Sequence, residues 1–136
     1  MKEYVLDANA VLRYFGVSEG QGTNKVRALF EQAERGQARL SMPVINLGEV
    51  LYVLLKHVGE SRARHYVQVL QHVVTMIEAD TAQALGAAEI KHNYKLGYAD
   101  SFAAMLALTL KATLVSADPA FEKLGKTLKW VRLPKF

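Results

Sequence analysis

The stretch YVLDANAVLRYF, residues 4–15, joins a short apolar segment typical of a buried strand to an apolar pattern at helical spacing. Asp7 lies at the junction. A carboxylate at this position can cap the helix that follows, and at the carboxyl end of a parallel strand it lies where ligands bind. The stretch therefore predicts a strand followed by a helix, and it leaves open whether Asp7 is a cap or takes part in chemistry.

The same alternation of strand-like and helix-like segments continues along the chain. Strands are predicted over residues 3–6, 39–42, 75–78, 113–116 and 128–133. Helices are predicted over residues 8–15, 24–35, 43–57, 61–73, 81–92 and 99–111, with a glycine-rich loop at 17–23 and a short helix after Asp118. Helices between short apolar strands indicate a parallel sheet covered on both faces. We predict an α/β fold, a three-layer α/β/α sandwich with a short, mostly parallel central sheet, in a single domain over residues 1–136.

The composition is that of an ordinary globular domain. Of the 136 residues, 51% are hydrophobic and 22% are charged, so a sizeable core is expected. The absence of cysteine excludes a disulfide scaffold, thiol catalysis and cysteine-ligated zinc. No stretch resembles a signal peptide or a membrane span. We therefore expect a cytoplasmic protein without a membrane partner.

The charge balance favours a polyanionic partner. The formal net charge is +4, from 17 Lys and Arg against 13 Asp and Glu. Such a balance suits nucleic acid, although a solvated surface explains it equally well. The basic residues concentrate in three groups: Lys56, Arg62, Arg64 and His65; Lys91, His92 and Lys95; and Lys123, Lys126, Lys129, Arg132 and Lys135.

Four aspartates occur in the chain, and three of them lie where a ligand site is expected. Asp7 and Asp118 directly follow predicted strands, and Asp100 lies at the start of the most apolar helix. Each can also cap a helix, and the sequence Asp118-Pro119 is a typical helix start. The fourth, Asp80, is most simply a helix cap.

Glu49 is the acid that capping explains least well. It lies within a predicted helix, and its neighbours at i−4 and i+4, Ile45 and Val53, are both apolar. We therefore predict that Glu49 points along a mostly buried face, where an unpaired carboxylate is costly unless it binds a cation.

These acids together indicate a metal site. If the strands before Asp7 and Asp118 are neighbours, the two carboxylates meet at one sheet edge, and their repulsion requires positive charge. Carboxylate oxygens are the ligands that Mg²⁺ prefers, and no histidine pair at metal-ligand spacing accompanies them. This favours Mg²⁺ or Mn²⁺ over Zn²⁺.

Four segments in order resemble the signature blocks of PIN-domain ribonucleases, in particular the VapC-type toxins of bacterial and archaeal toxin–antitoxin pairs. They are VLDAN (5–9), NLGEVLYVL (46–54), GYADSFAAMLAL (97–108) and LVSADPAF (114–121). The resemblance spans essentially the whole chain. It implies metal-dependent endonucleolytic cleavage of RNA, a cognate antitoxin that blocks the site, and a homodimer.

The resemblance also implies roles for particular residues. Asp7, Glu49, Asp100 and Asp118 would form the catalytic site and bind Mg²⁺ (or Mn²⁺), with Asp7 and Asp100 as the principal ligands. Asn9 and Ser116 match polar positions that support such a site by hydrogen bonding.

Three further residues near these acids have two interpretations each. Arg13 follows Asp7 by one and a half helical turns, so it can contact an RNA phosphate or pair with a neighbour or the antitoxin. Tyr94 and Tyr98 flank the loop before Asp100 and can stack on a base or pack internally.

Two alternatives compete with the nuclease hypothesis. A phosphoacceptor receiver-like domain has a similar size, uses Mg²⁺, and would place its acceptor at Asp80, but it leaves Glu49 and Asp100 unexplained. A non-catalytic RNA-binding protein would make the convergence of the four acids accidental.

Overall fold

Five strands form one sheet in the computed structural model, which describes residues 1–16 and 23–134. The strands are β1 (Lys2–Leu6), β2 (Ala38–Pro43), β3 (Thr75–Ile77), β4 (Thr113–Ser116) and β5 (Trp130–Arg132). Their order is β3-β2-β1-β4-β5, and every neighbouring pair is parallel. The predicted α/β fold with a mostly parallel sheet is confirmed.

In the described residues, six α-helices and one 3-10 segment connect the strands. The helices are α1 (Ala8–Tyr14), α2 (Thr23–Glu34), α3 (Val44–Val58), α4 (Glu60–Val73), α5 (Thr81–Tyr94) and α6 (Tyr98–Leu110). The 3-10 segment, Pro119–Thr127, lies between β4 and β5.

The helices cover both faces of the sheet, because the strand side chains alternate between two apolar clusters. Leu6 of β1 and Val115 of β4 pack in the cluster that contains residues of α1 to α4. Val5 and Leu114, one residue away on the same strands, pack in the cluster that contains residues of α5, α6 and the 3-10 segment. The three-layer arrangement is therefore confirmed.

Four helices begin one residue away from their predicted starts, and for α3 and α4 the structure gives a local reason. Pro43 remains in β2, pairs with Ile77 and serves as the extended N-cap residue of α3. Ser61, at the predicted start of the fourth helix, lies inside α4, because Gly59 with φ +83° lets the chain turn one residue earlier. The predicted loop over residues 17–23 lies outside the described residues except for Thr23, which begins α2.

The strand order changes direction between β1 and β4. After β1 the chain adds β2 and β3 on one side, and after α6 it adds β4 and β5 on the other side. In open α/β sheets such a switch point leaves a crevice at the carboxyl ends of the strands, where ligands bind. Asp7 follows β1 and Asp118 follows β4 by two residues, so both lie at this crevice.

None of the helices in residues 1–16 and 23–134 is long and apolar enough to cross a membrane.

Candidate active site

A pocket of about 650 Å³ lies at the switch point. Its wall contains all four predicted acids, which are Asp7, Glu49, Asp100 and Asp118, together with Asn9 and Arg13. The acids come from four separate parts of the fold: the end of β1, the middle of α3, the first turn of α6 and the residue that caps the 3-10 segment. We call this pocket the acidic pocket.

Asp7 both caps a helix and faces the acidic pocket. Its Oδ1 accepts a hydrogen bond from the backbone N–H of Ala10 at 3.1 Å, which caps α1. Its Oδ2 accepts a short hydrogen bond from the hydroxyl of Ser116, at the end of β4. The two interpretations of Asp7 are therefore compatible, since each carboxylate oxygen has its own fixed partner.

Burial dominates the ionisation of Asp7. The residue is 2% exposed, and desolvation raises its pKa from 3.8 to about 7. The hydrogen bonds from Ser116 and Ala10 lower the pKa, whereas the negative charges of Asp118 and Glu49 raise it. Asp7 is thus within electrostatic reach of two other acids of the pocket.

Asp100 lies in the first turn of α6, where its carboxylate also meets the other acids. Its pKa is raised from 3.8 to about 7, chiefly by desolvation and in addition by its interaction with Asp118 and by the negative charges of Asp7 and Glu49. Gly97, and not Asp100, is the N-cap residue of α6. The capping alternative for Asp100 is therefore wrong.

Glu49 differs from its predicted environment. Helix α3 buries Asn46, Val50 and Leu54, which repeat every four residues on one face. Glu49 lies one residue outside that face and is exposed, and Ile45 beside it is 39% exposed. The prediction of a mostly buried face is therefore wrong. The side chain instead lies at the rim of the acidic pocket, where partial desolvation raises its pKa.

Asp118, Ser116 and Asn9 fix the backbone at the end of β4. Asp118 accepts a hydrogen bond from the N–H of Ala120 at 2.9 Å, and its own N–H donates to the Ser116 hydroxyl at 3.0 Å. The Oδ1 of Asn9 accepts from the N–H of Ala117 at 3.2 Å. Asn9 and Ser116 thus join the segment after β1 to the segment after β4, and the pair of acids that follow these strands is held together.

Arg13 is a cation in the wall of a pocket whose other charged groups are acids. It is 1% exposed. Burial lowers the pKa of its guanidinium, and the charge of Asp7 opposes that effect. Its position beside Asp7 places it close to any anion that enters the pocket.

Asn46 is a further residue of this region that the sequence interpretation did not select. It is fully buried, and its Nδ2 donates to the carbonyl of Ala99 in the first turn of α6 at 3.3 Å. The bond joins α3, which carries Glu49, to the turn that carries Asp100. The signal for it is the polar residue on the otherwise apolar buried face of α3.

Asp80 lies apart from the acidic pocket. It caps α5 by accepting a hydrogen bond from the N–H of Gln83 at 2.8 Å, as its simplest interpretation predicts. The sheet order β3-β2-β1-β4-β5 also differs from the flavodoxin-like order of receiver domains, in which strand 1 lies between strands 2 and 3. The receiver-like alternative is therefore wrong.

The donors around the acidic pocket fit a hard divalent cation. In residues 1–16 and 23–134, no three acidic or histidine side chains already stand close enough to hold a metal ion together. The carboxylates nonetheless share one pocket, and burial together with the negative charges of the neighbouring acids raises the pKa of Asp100. A divalent cation would offset this repulsion, and an all-oxygen donor set suits Mg²⁺ or Mn²⁺.

Solved structures with the same fold include several toxin–antitoxin proteins. VapBC2 from Rickettsia felis matches with a TM-score of 0.74 and 16% identity, covering 96% of this chain and 98% of that chain. VapBC-1 from nontypeable Haemophilus influenzae matches with a TM-score of 0.72 and 19% identity, covering 96% and 97%. VapC20 from Mycobacterium tuberculosis, a Sarcin-Ricin loop cleaving toxin, matches with a TM-score of 0.70 and 15% identity, covering 90% and 95%.

The sequence itself also identifies a family. No curated protein sequence matches the chain. The family model of the PIN domain, however, matches residues 4–127, which include all four acids of the pocket. The chain belongs to the PIN domain family.

Proposed function

We propose that this protein is a metal-dependent endoribonuclease and the toxin of a type II toxin–antitoxin pair. The observation that carries the proposal is the acidic pocket, in which Asp7, Glu49, Asp100 and Asp118 meet at the switch point of the sheet. Family membership supports a nuclease, and the shared fold with VapBC proteins supports a toxin.

In this proposal the four acids hold one or two Mg²⁺ or Mn²⁺ ions, with Asp7 and Asp100 as principal ligands. A divalent ion bound there supplies a water of lowered pKa and stabilises charge on the phosphate oxygens. The protein orients the carboxylates: Ser116 fixes Asp7, and Asn46 fixes the turn that carries Asp100. The Arg13 guanidinium offers a positive charge to the phosphate group that enters beside Asp7.

The proposed substrate is RNA. The net charge of +4 favours binding to a polyanion such as the phosphate backbone of RNA. VapC20, which shares the fold, is a Sarcin-Ricin loop cleaving toxin. Both observations support RNA cleavage, and neither identifies the target sequence.

The proposal also names two protein partners, an antitoxin and a second copy of this chain, and it treats the chain as one domain. A cognate antitoxin would block the acidic pocket, as the fold shared with VapBC proteins suggests. A homodimer follows from the resemblance to VapC-type toxins. The single domain over residues 1–136 is supported by one continuous five-stranded sheet and by a family match over residues 4–127.

The decisive experiment compares three conservative aspartate variants. Purified wild-type protein is expected to cleave RNA with Mg²⁺ or Mn²⁺ and not with EDTA. Asp7→Asn and Asp100→Asn should each lower the cleavage rate by at least about 100-fold, because each removes a principal metal ligand. Asp80→Asn is the matched control: asparagine caps a helix as well as aspartate, and Asp80 lies outside the acidic pocket, so its rate should equal that of the wild type.

Two results would contradict the proposal. Unchanged cleavage in Asp7→Asn or Asp100→Asn would remove that residue from the site. RNA binding without cleavage in any divalent metal would favour the non-catalytic RNA-binding alternative. In a bacterial host, growth inhibition on expression that disappears in Asp7→Asn and persists in Asp80→Asn would further support the toxin assignment.

A further inference from the structure

A second pocket, of about 430 Å³, lies between the end of α5 and the start of α6. Its wall is formed by Lys91, His92, Lys95 and Tyr98, together with Ala88. All four polar side chains are exposed, so the pocket combines positive charge with an accessible aromatic ring. We call it the basic pocket.

Lys91 of the basic pocket is anchored by a hydrogen bond to the backbone, and Lys123 lies next to the pocket, at the backbone of Lys95. Lys91 donates from Nζ to the carbonyl of Leu96 at 3.0 Å, and Lys123, from the 3-10 segment, donates to the carbonyl of Lys95 at 3.4 Å. An ammonium group has three N–H donors, so Lys91 and Lys123 each keep two donors for a ligand. Within the described parts of the chain, Lys91, Lys95 and Lys123 form no ion pair with an acid.

Tyr98 presents a fixed ring to the basic pocket. The residue is 48% exposed, and its ring meets that of Phe102, which is 4% exposed, in an edge-to-face contact with centroids 5.0 Å apart. The buried ring of Phe102 thus orients the exposed ring. An accessible aromatic face of this kind stacks on nucleic-acid bases of any sequence.

The basic pocket adjoins the acidic pocket across the first turn of α6. Tyr98 and Asp100 are two residues apart on this helix, so their side chains point to opposite sides of it. Accordingly Asp100 faces the acidic pocket and Tyr98 faces the basic one. A chain that passes over the start of α6 would contact both pockets in succession.

Gly97 is the N-cap residue of α6 and lies in the chain between Lys95 of the basic pocket and Asp100 of the acidic pocket. Its φ of −63° is accessible to any residue. A Cβ at this position would meet Asp100 Oδ2 at 3.6 Å, an ordinary contact. Neither backbone conformation nor packing therefore requires glycine here.

We propose that the basic pocket is a subsite for single-stranded RNA: it binds a nucleotide adjacent to the phosphate in the acidic pocket, with the base on Tyr98 and the phosphate at Lys95. This inference rests on the proposed function, and it identifies a surface of the protein that would contact the RNA substrate. Single strands fit better than duplexes, because a stacked base must be unpaired to reach an aromatic ring.

The test measures binding of a short fluorescein-labelled single-stranded RNA of mixed sequence by fluorescence anisotropy, in EDTA, at several salt concentrations. Tyr98→Ala should weaken binding about tenfold, because stacking on one base is lost, and Tyr98→Phe should bind like the wild type. Lys95→Asn should weaken binding several-fold and reduce the slope of log K against log salt by about 0.7, the value for one phosphate contact on a single strand.

Lys111→Asn is the matched control for Lys95→Asn. Both lysines are exposed, both are C-cap residues of a helix, and both have a left-handed backbone, with φ of 57° for Lys95 and 54° for Lys111. Asparagine tolerates that conformation. Lys111 lies at the opposite end of α6 from the pocket, so Lys111→Asn should retain wild-type affinity.

Three outcomes would overturn the subsite. The first is a Tyr98→Ala variant that binds RNA with wild-type affinity, and the second is an equal loss of RNA affinity in Lys95→Asn and Lys111→Asn. The third is unchanged RNA affinity in Tyr98→Ala and Lys95→Asn together with loss of binding to the cognate antitoxin. The last would identify the pocket as a protein interface. Because binding is measured in EDTA, the subsite and the nuclease proposal fail separately: the nuclease proposal fails if Asp100→Asn still cleaves RNA, whatever the effect of Tyr98→Ala.

Discussion

Each oxygen of the Asp7 carboxylate has a different structural partner. Oδ1 accepts from the first turn of α1, and Oδ2 accepts from Ser116 on the neighbouring strand. The orientation of the group is therefore set by the scaffold before any ligand binds, which is the preorganisation that metal and phosphate sites require. Asparagine can keep the cap but removes the charge, so Asp7→Asn separates the structural contribution from the chemical one.

Asn46 is expected to act through the position of Asp100. Asn46→Ala removes the hydrogen bond from α3 to the first turn of α6, and the Mg²⁺ concentration for half-maximal cleavage should rise about tenfold, as for other residues that orient metal ligands. The measurement is the cleavage rate against Mg²⁺ concentration, with maximal rate and half-saturation fitted separately.

Asn24→Ala is the control for Asn46→Ala, because Asn24 is exposed in the first turn of α2. It should leave the Mg²⁺ dependence unchanged. A lower maximal rate at unchanged half-saturation in Asn46→Ala would contradict a role in positioning the metal ligands.

For single residues, the sequence predicted which side chains lie at the pocket better than it predicted how exposed each of them is. Asp7 and Asp118 could be placed because strand ends are recognisable from apolar runs. The exposure of Glu49 could not, because the apolar neighbours that suggested a buried face are not buried themselves: Ile45 is 39% exposed, and Val53 is only partly buried and lines the pocket. Asn46 could not be selected either, since its partner Ala99 is 53 residues away and contributes only a backbone carbonyl.

Two glycines at helices, Gly48 and Gly36, allow the effect of backbone conformation on stability to be measured apart from the effect of packing. A Cβ added at Gly48 in α3 or at Gly36 after α2 meets nothing within 4 Å, but only Gly36 has a positive φ, of +72°. Gly48→Ala should therefore raise the free energy of unfolding by about 1 kcal/mol, and Gly36→Ala should lower it by about 1–2 kcal/mol. Urea denaturation monitored by circular dichroism measures both values. Shifts of the same sign would contradict the backbone explanation.

Most elements were predictable because the apolar periods differ between strands and helices, and the ends differed where local signals competed. Pro43 resembles a first helical residue, yet pairing with Ile77 keeps it in β2. Ser61 resembles a cap, yet the positive φ of Gly59 moves the start of α4. Apolar periodicity does not specify the order of the strands, because that order depends on pairing between segments far apart in the chain.

The acids of the pocket make the stability of the whole metal-free molecule depend on pH. Asp7 and Asp100 have pKa values near 7 in the folded protein instead of the ordinary 3.8. The folded protein thus retains protons that the unfolded chain has released. The contribution of these groups is favourable at and below about pH 4, decreases as the pH rises to about 7, and is constant above that.

Thermal unfolding in EDTA should show this decrease in the melting temperature between about pH 4 and pH 7. Asp7→Asn should reduce the pH dependence, because it removes one of the two groups. Added Mg²⁺ should raise the melting temperature more at about pH 8 than at about pH 5, since metal ligands must be deprotonated. An equal effect of Mg²⁺ at both pH values would show that the ion binds elsewhere.

The bond between Ser116 and Asp7 has a consequence for the order of events during synthesis. The two residues are 109 positions apart in the chain, and β4, which pairs with β1, is made after the first three strands and after helices α1 to α6. A nascent chain that ends at α6 already carries three of the four acids but lacks the strand that orients the first. An acidic pocket built in this way is complete only after β4 has been synthesised and has paired with β1.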